Sequence, residues 1–316
     1  MPVQILAFLL FFQVYLTSQP AGAIVYRSVD GGQTWQDASG GLPNGLQVRD
    51  VFSEGGAILL AAESGLFRNA NPFSTPNWEK PGFLNMTVNG IFPGLNGPYV
   101  YNSGKGLFQE ISGTGIWVQK YPDFKDRMVF TVLEIPGGSL FIGCDNGLFR
   151  SNDGGKNWKQ IFVEDGIMSI TTANGALVGS GFRGLWRSTD NGNHWERVQA
   201  GEGVAFQIAL LDEGIAAVTS GPERAIEEIA NGLLFSSNSG KTWEHLDKGL
   251  PPVRRIYDIE QAGGNLFCSL DTGIYRSSDR GKTWELLRPV KGEQRFELAV
   301  SGQTLYAVVV AVVDGC

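Results

Sequence analysis

Seven arginines in this chain stand where a guanidinium could meet a carboxylate: Arg49, Arg127, Arg183, Arg224, Arg254, Arg255 and Arg295. Arg49, Arg127, Arg254, Arg255 and Arg295 directly or nearly precede short alternating apolar runs, while Arg183 and Arg224 fall in turns between such runs. A guanidinium is a rigid fork of donors that takes a carboxylate bidentately, so several around one mouth would make an anion-binding or acidic-peptide site. The competing reading makes them surface charges balanced by Asp50, Asp126 and Glu293. Other chemistry is thinly supplied. Asp145 and Asp271 occupy corresponding turns, and an inverting glycosidase needs two opposed carboxylates. The two histidines, His194 and His245, have no partner at metal-ligand spacing. Neither a phosphate loop nor a nucleophile elbow occurs. We therefore expect no catalytic residues, no metal and no cofactor.

The formal net charge of −7, without a basic stripe, argues against nucleic acid as a partner. Cys144, Cys268 and Cys316 are odd in number and widely spaced, which excludes a disulfide scaffold and a thiolate cluster. Cys268, within NLFCSL, reads as a small buried residue. Asn85-Met86-Thr87 is a glycosylation acceptor if the host glycosylates exported proteins. The start of the chain reads as a signal peptide over residues 1–23. Its apolar run ILAFLLFF is followed by the small-x-small site AGA, which makes Ile24 the expected mature start. No later run is long enough to cross a membrane as a helix, so the mature chain is expected outside the cytoplasm, secreted or periplasmic, as a monomer.

The elements that would position the arginines are legible in an internal repeat. SVDGGQTW ends at Trp35, SNDGGKNW at Trp158, STDNGNHW at Trp195, SSNSGKTW at Trp243 and SSDRGKTW at Trp284; eroded copies end at Trp78 and Trp117. The seven tryptophans are 43, 39, 41, 37, 48 and 41 residues apart. Before most phrases runs GLFRS or a variant, preceded by two alternating apolar runs joined by a Gly turn, as in VFTVLEIPGGSLFIGC. Four short antiparallel strands per period of about forty residues describe a propeller blade. The first phrase lacks its two inner strands, and the last inner pair, FELAVSGQTLYAVVV, lacks a phrase. The two ends together complete one blade. The expected fold is all-β: a single seven-bladed propeller of four-stranded antiparallel blades over residues 24–316. Its N-terminal outer strands would pair with its C-terminal inner strands.

Within S-x-D-x-G-x-x-W, the carboxylates of Asp30, Asp153, Asp190 and Asp279 can accept from backbone N–H groups two or three residues on. The glycine supplies a positive φ, and Trp35, Trp158, Trp195, Trp243 and Trp284 anchor the turn. These roles are local and structural. The phrases resemble the Asp-box, or BNR repeat, of sialidases, xyloglucan-cleaving propellers, sortilin-type receptors and photosystem II stability/assembly factors. The resemblance covers nearly the whole mature chain and is specific for fold rather than activity. Asn238 replaces the aspartate in one clear copy, which predicts a less rigid hairpin there.

The resemblance implies that the boxes lie away from the ligand face, which is built from second-to-third-strand loops and blade-to-blade connections. One such loop, TSGPERAIEEIANG at 219–232, is about ten residues longer than its equivalents. Photosystem II assembly factors carry an arginine patch as a family, which draws attention to the arginines above. The leading expectation is a non-catalytic exported propeller that binds a protein or peptide, with an acidic one suited to the arginines. The alternatives are a glycan-binding propeller using Phe182 and its neighbours, or a hydrolase of sialidase or xyloglucanase type. The F/Y-R-I-P segment of sialidases is missing, and xyloglucanases are usually built from two propellers.

Overall fold

Short runs of β-branched, aliphatic and aromatic residues, cut by Gly-rich turns, favour strands of two to eight residues over any long helix. The computed structural model describes residues 22–71, 76–81, 85–198, 203–221, 232–251, 255–290, 292 and 294–311, and each repeat unit in it is a separate antiparallel sheet. Blade 2 comprises Val48–Glu54, Ala57–Ala62 and Gly65–Asn69. Blade 3 comprises Gly90–Phe92, Tyr99–Asn102, Gly106–Ile111 and Ile116–Tyr121. Blade 4 comprises Val129–Ile135, Ser139–Cys144, Gly147–Ser151 and Lys159–Phe162. Blade 5 comprises Ile167–Ala173, Ala176–Gly181, Gly184–Ser188 and Glu196–Arg197. Blade 6 comprises Val204–Leu211, Gly214–Ser220, Gly232–Ser236 and Glu244–His245. Blade 7 comprises Ile256–Ala262, Asn265–Leu270, Gly273–Ser277 and Glu285–Pro289.

Blade 1 is made by both ends of the chain, in the order Arg295–Ser301, Thr304–Val310, Val25–Ser28 and Gln36–Asp37. Val25 pairs with Val308 and Ser28 with Leu305, which is the closure that the split repeat predicts. First strands of successive blades touch all the way round, from blade 1 through blade 7 and back. Blade 2 departs from the four-stranded rule. Among the described residues its outer strand is a single bridge between Arg68 and Glu79, in the unit whose box is eroded. Among the described residues the one helical turn is Pro122–Phe124.

The core is divided among the seams between blades. Among the described residues seven apolar clusters are found, each joining two neighbouring blades: Val25 and Tyr306 meet Val48 and Leu60, for example, and Phe141 meets Ile167 and Trp186. Second strands must therefore be apolar on both faces, and all six residues of Ala57–Ala62 are buried. Each fully buried phenylalanine, such as Phe141 or Phe267, contributes about 1.5–3 kcal/mol relative to exposure. Cys144 and Cys268 are free thiols inside two of these seams.

A bulge near the start of the first strand recurs in blades 2, 4, 5, 6 and 7. In several blades the residue after it ties one blade to the next. Asp50 accepts from the Ile91 amide at 2.7 Å, Ser169 from the Ile208 amide at 3.2 Å, and Asp258 from the Leu298 amide at 2.7 Å. Gln207 donates to Asp258 at 2.6 Å. Asp50 is thus a half-buried tie between blades and not the surface counter-charge that the sequence suggests.

Candidate functional site

The boxes and the turns between first and second strands share one face of the ring. Asn174, in such a turn of blade 5, donates to the Ser239 hydroxyl in the box of blade 6 at 3.0 Å. Arg280 in the box of blade 7 pairs with Glu213 in the corresponding turn of blade 6. Each box is a closed hydrogen-bond unit. In blade 1, the Ser28 hydroxyl donates to Asp30 at 2.8 Å and accepts from the Gly32 amide at 2.8 Å. Asp30 then takes the Thr34 amide at 2.9 Å and the Thr34 hydroxyl at 2.6 Å. The carboxylate therefore reaches four residues on, and Asp153 and Asp190 also take the amide three residues on, from Lys156 at 3.1 Å and Asn193 at 3.0 Å, as the sequence suggests. Asp153 takes Asn157, Asp190 takes His194 and Asp279 takes Thr283 in the same way. These donors hold the carboxylates of Asp30, Asp153 and Asp279 down at about 2, and Asp190 is lowered likewise, with the His194 amide as first cause.

Asn238 reproduces the set. It accepts the Thr242 amide at 2.9 Å and turns its own NH2 on the Thr242 hydroxyl at 2.7 Å, so no box contact is lost where a looser hairpin was expected. The tryptophans are half-buried. Trp195, Trp243 and Trp284 each donate to the carbonyl of the box glycine three residues earlier, at 3.1, 3.1 and 3.2 Å. Trp35 and Trp158 have the same place without a partner for the indole N–H among the described residues.

The boxes also reach beyond their own hairpins. The third-strand arginine of one blade donates to the carbonyl following the box aspartate or asparagine of the next. Arg150 meets Asn191, Arg187 meets Ser239 at 2.9 Å, and Arg276 meets Gly31 at 3.1 Å across the closing seam. The box glycine faces the preceding blade: a Cβ on Gly155 would lie 2.0 Å from the Tyr121 ring, and one on Gly192 would lie 2.6 Å from Ile161. The phrase is a joint between blades as well as a local turn.

The opposite face carries the second-to-third-strand turns and the blade-to-blade connections. These two kinds of segment are bonded to one another. The Asp145 amide donates to the Met128 carbonyl at 3.1 Å, the Asp271 amide to Arg255 at 3.1 Å, and the Glu63 amide to Gln47 at 3.3 Å. The candidate arginines differ in state. Arg49 pairs with Glu63 at 2.8 Å, and Arg295 pairs with Glu297 at 3.4 Å while lying 5.0 Å above the Tyr257 ring. Arg127 sits 4.4 Å over Phe149. Arg183 and Arg255 are exposed. Among the described residues Arg127, Arg183 and Arg255 have no carboxylate partner. Arg224, Arg254, Glu293, Cys316, residues 1–21 and most of the long loop at 219–232 lie outside the described residues.

Carboxylates collect beneath this face, Asp258 buried and Asp50, Glu260 and Glu297 half-buried. Burial raises Asp50 to about 7 and Glu260 to about 8, with Asp258 adding to both. Asp258 and Glu297 are raised as well, first by burial, and Arg295 opposes the rise in both. Among the described residues no group of acidic, histidine and cysteine side chains has the arrangement to hold a metal ion. His194 is bound to Asp190 within its box, and His245 to Asp247 at 3.1 Å. Asp145 and Asp271 hold matching positions in blades 4 and 7, with Glu63 as a third copy in blade 2. They are a repeat feature of the turns.

Aromatic and sulfur-bearing side chains at the mouth are the part that sequence reading largely missed. The bulge places Phe130, Met168, Phe206 and Tyr257 at the rim of blades 4 to 7, each more exposed than the residue before it. Their signal in the sequence is only that they hold the second position of a first strand, or the third in the case of Phe206.

Family models of the BNR-Asp box repeat match residues 148–161 and 274–287, and one of the BNR/Asp-box repeat matches residues 26–37. No curated protein matches the chain by sequence. Among solved structures, a GH74 xyloglucanase from Xanthomonas campestris is similar with a TM-score of 0.63 and 15% identity, over 90% of this chain and 54% of that one. An ancestral GH74 enzyme gives 0.55 and 14%, over 86% and 48%. YCF48 bound to D1 peptide gives 0.59 and 15%, over 87% and 96%. The chain spans about half the length of the two GH74 proteins. At these identities the likeness is one of fold.

Proposed function

We propose that this chain, a seven-bladed β-propeller of BNR/Asp-box repeats, is an exported, non-catalytic scaffold whose face opposite the boxes captures an acidic peptide or protein. One contrast carries the reading. On the box side, Arg68, Arg150, Arg187 and Arg276 are all used by the fold, bound to Glu110, Asn191, Ser239 and Gly31. On the other face, Arg127, Arg183 and Arg255 have no carboxylate partner among the described residues. Unpaired guanidinium groups on a rigid face are suited to bidentate carboxylate capture. A propeller of this fold in complex with a peptide, YCF48 with D1 peptide, supports a peptide as occupant.

Replacing Arg127, Arg183 and Arg255 together by alanine tests the proposal. The triple variant should keep its melting temperature and lose the proteins that the wild type retains from an extract of its source, identified by mass spectrometry. Retention unchanged by the triple substitution rejects the arginine face. Turnover of a fluorogenic sialoside or of xyloglucan by the wild-type protein overturns the non-catalytic part.

Export rests on the signal-like segment 1–23. Cleavage after Ala23 would free the Ile24 amine, whose nitrogen lies 2.9 Å from the Ser39 hydroxyl. N-terminal sequencing of protein recovered outside the cytoplasm should begin at Ile24, and a retained Met1 would refute processing. The same preparation should run as a monomer on size exclusion.

A further inference from the structure

Three blades share a two-residue turn between their second and third strands: Glu63-Ser64 in blade 2, Asp145-Asn146 in blade 4 and Asp271-Thr272 in blade 7. Blade 5 keeps the length and inverts the chemistry, with Phe182-Arg183. The swap leaves the length of the hairpin turn unchanged while replacing a charge by an aromatic ring. At this turn the backbone is held by an acid from the preceding connection: Asp165, buried, accepts the Arg183 amide at 2.8 Å and the Trp186 indole at 3.0 Å.

Phe182 leans across the seam towards blade 4. Its ring meets Phe130 edge-on at 6.0 Å, and a Cβ on Gly166 would lie 2.6 Å from it. Gly166 is also beside the Asp145 carbonyl, whose amide is bound to Met128. Phe182 remains 40% exposed and Met128 51% exposed, with Phe206 on the next blade at 44%. Burying such side chains would be favourable, and an intramolecular cover is not present among the described residues. Charge complementarity says what should cover them. The apolar strip is flanked by Arg127 and Arg183, both without a carboxylate partner among the described residues.

We propose that the Phe182-Arg183 turn and the Met128–Phe130 edge form a recognition subsite for a peptide that carries a large apolar side chain within two residues of a carboxylate. The apolar side chain packs on Phe182 and Phe130, and the carboxylate meets Arg183 or Arg127. This inference rests on the peptide-binding reading above and assigns the residue type that the face selects.

The test is selection of phage-displayed random heptapeptides on the immobilised wild-type protein. Enriched peptides are then synthesised with a fluorescein label and titrated by anisotropy against wild type, Phe182→Ala, Phe182→Leu and Arg183→Gln, all checked for unchanged melting. Enriched sequences should place Phe, Tyr, Trp, Leu or Met within two residues of Asp or Glu. Phe182→Ala should weaken their binding about tenfold or more, and Phe182→Leu much less. Replacing the apolar peptide residue by alanine should cost the wild type a similar factor and cost Phe182→Ala little further. Arg183→Gln should flatten the dependence on salt. Enrichment of acidic peptides without an apolar residue, bound equally by Phe182→Ala, overturns the subsite and leaves the arginine-face reading standing. Enrichment of no peptide at all overturns both.

Discussion

Arg276 and Gly31 are 245 positions apart, and the Arg276 guanidinium donates to the Gly31 carbonyl at 3.1 Å. The bond crosses the seam where blade 7 meets blade 1, the joint made by the two ends of the chain. The same guanidinium also holds Glu285 at 2.7 Å, which fixes its direction. Arg276→Ala should therefore destabilise the protein by about 1–2 kcal/mol, as expected for a partly buried charged hydrogen bond. Arg276→Lys should recover only part, because an ammonium cannot serve both acceptors in one plane. Chemical denaturation measures both. Equal stability of wild type and Arg276→Ala would show that the closing latch adds nothing beyond the strand pairing.

The boxes predict an order among isosteric substitutions. In blade 6, Asn238 works because Thr242 offers a hydroxyl that can accept from the asparagine NH2. Asp279 also faces a threonine, Thr283, so Asp279→Asn should melt close to wild type. Asp153 faces the Asn157 NH2 instead, which donates to it at 2.7 Å. Asp153→Asn opposes two donors unless an amide flips and should lower the melting temperature more. Differential scanning calorimetry of the two variants side by side settles the order, and the reverse order would reject this account of the box.

The glycine at the fifth box position answers two demands, and they can be separated. Gly155 has φ +83°, and a Cβ there would meet the Tyr121 ring at 2.0 Å. Gly155→Ala should cost about 1–2 kcal/mol for the left-handed backbone plus about 1–3 kcal/mol for overpacking. A second substitution, Tyr121→Leu, should relieve the overpacking part and leave the backbone part, and a double-mutant cycle measures the difference. Full additivity would mean that the two residues do not collide.

How much of this was legible beforehand follows from what sequence patterns encode. The blade count, the split blade and the box positions all rest on periodic residue types, and strand pairing of Val25 with Val308 follows from them. The Arg276 latch was hidden because its acceptor is a backbone carbonyl, which every residue has. Arg68, Arg150 and Arg187 likewise read as strand-flanking residues. Asp50 looked like a partner for Arg49, but a bulge shifts the register between Val48 and Asp50 and sends the carboxylate to Ile91 of the next blade. Bulges leave no composition signal. At the mouth, Arg183 and Phe182 were visible as types, whereas the meeting of Phe182 with Phe130 depends on how two blades abut.

Two sets of carboxylates predict opposite limbs in the dependence of stability on pH. For Asp50 the ordinary value is 3.8 and the folded value about 7, so the folded state binds the proton more tightly. Its contribution is full below about pH 3.8 and is lost as pH rises through about 7. Glu260, raised from 4.5 to about 8, and the raised Asp258 and Glu297 act in the same sense. Asp30, Asp153 and Asp279 are lowered from 3.8 to about 2, so their contribution is present above about pH 3.8 and lost as pH falls through about 2. Stability should peak between about pH 4 and 6 and decline on both sides, as read from urea midpoints. Asp50→Asn keeps an acceptor for the Ile91 amide and removes the charge. It should raise the midpoint at pH 8 and change it little at pH 4.5. A wild-type profile that rises steadily from pH 5 to pH 8, or an Asp50→Asn variant weakened equally at both values, would show that these carboxylates stay ionised inside the fold.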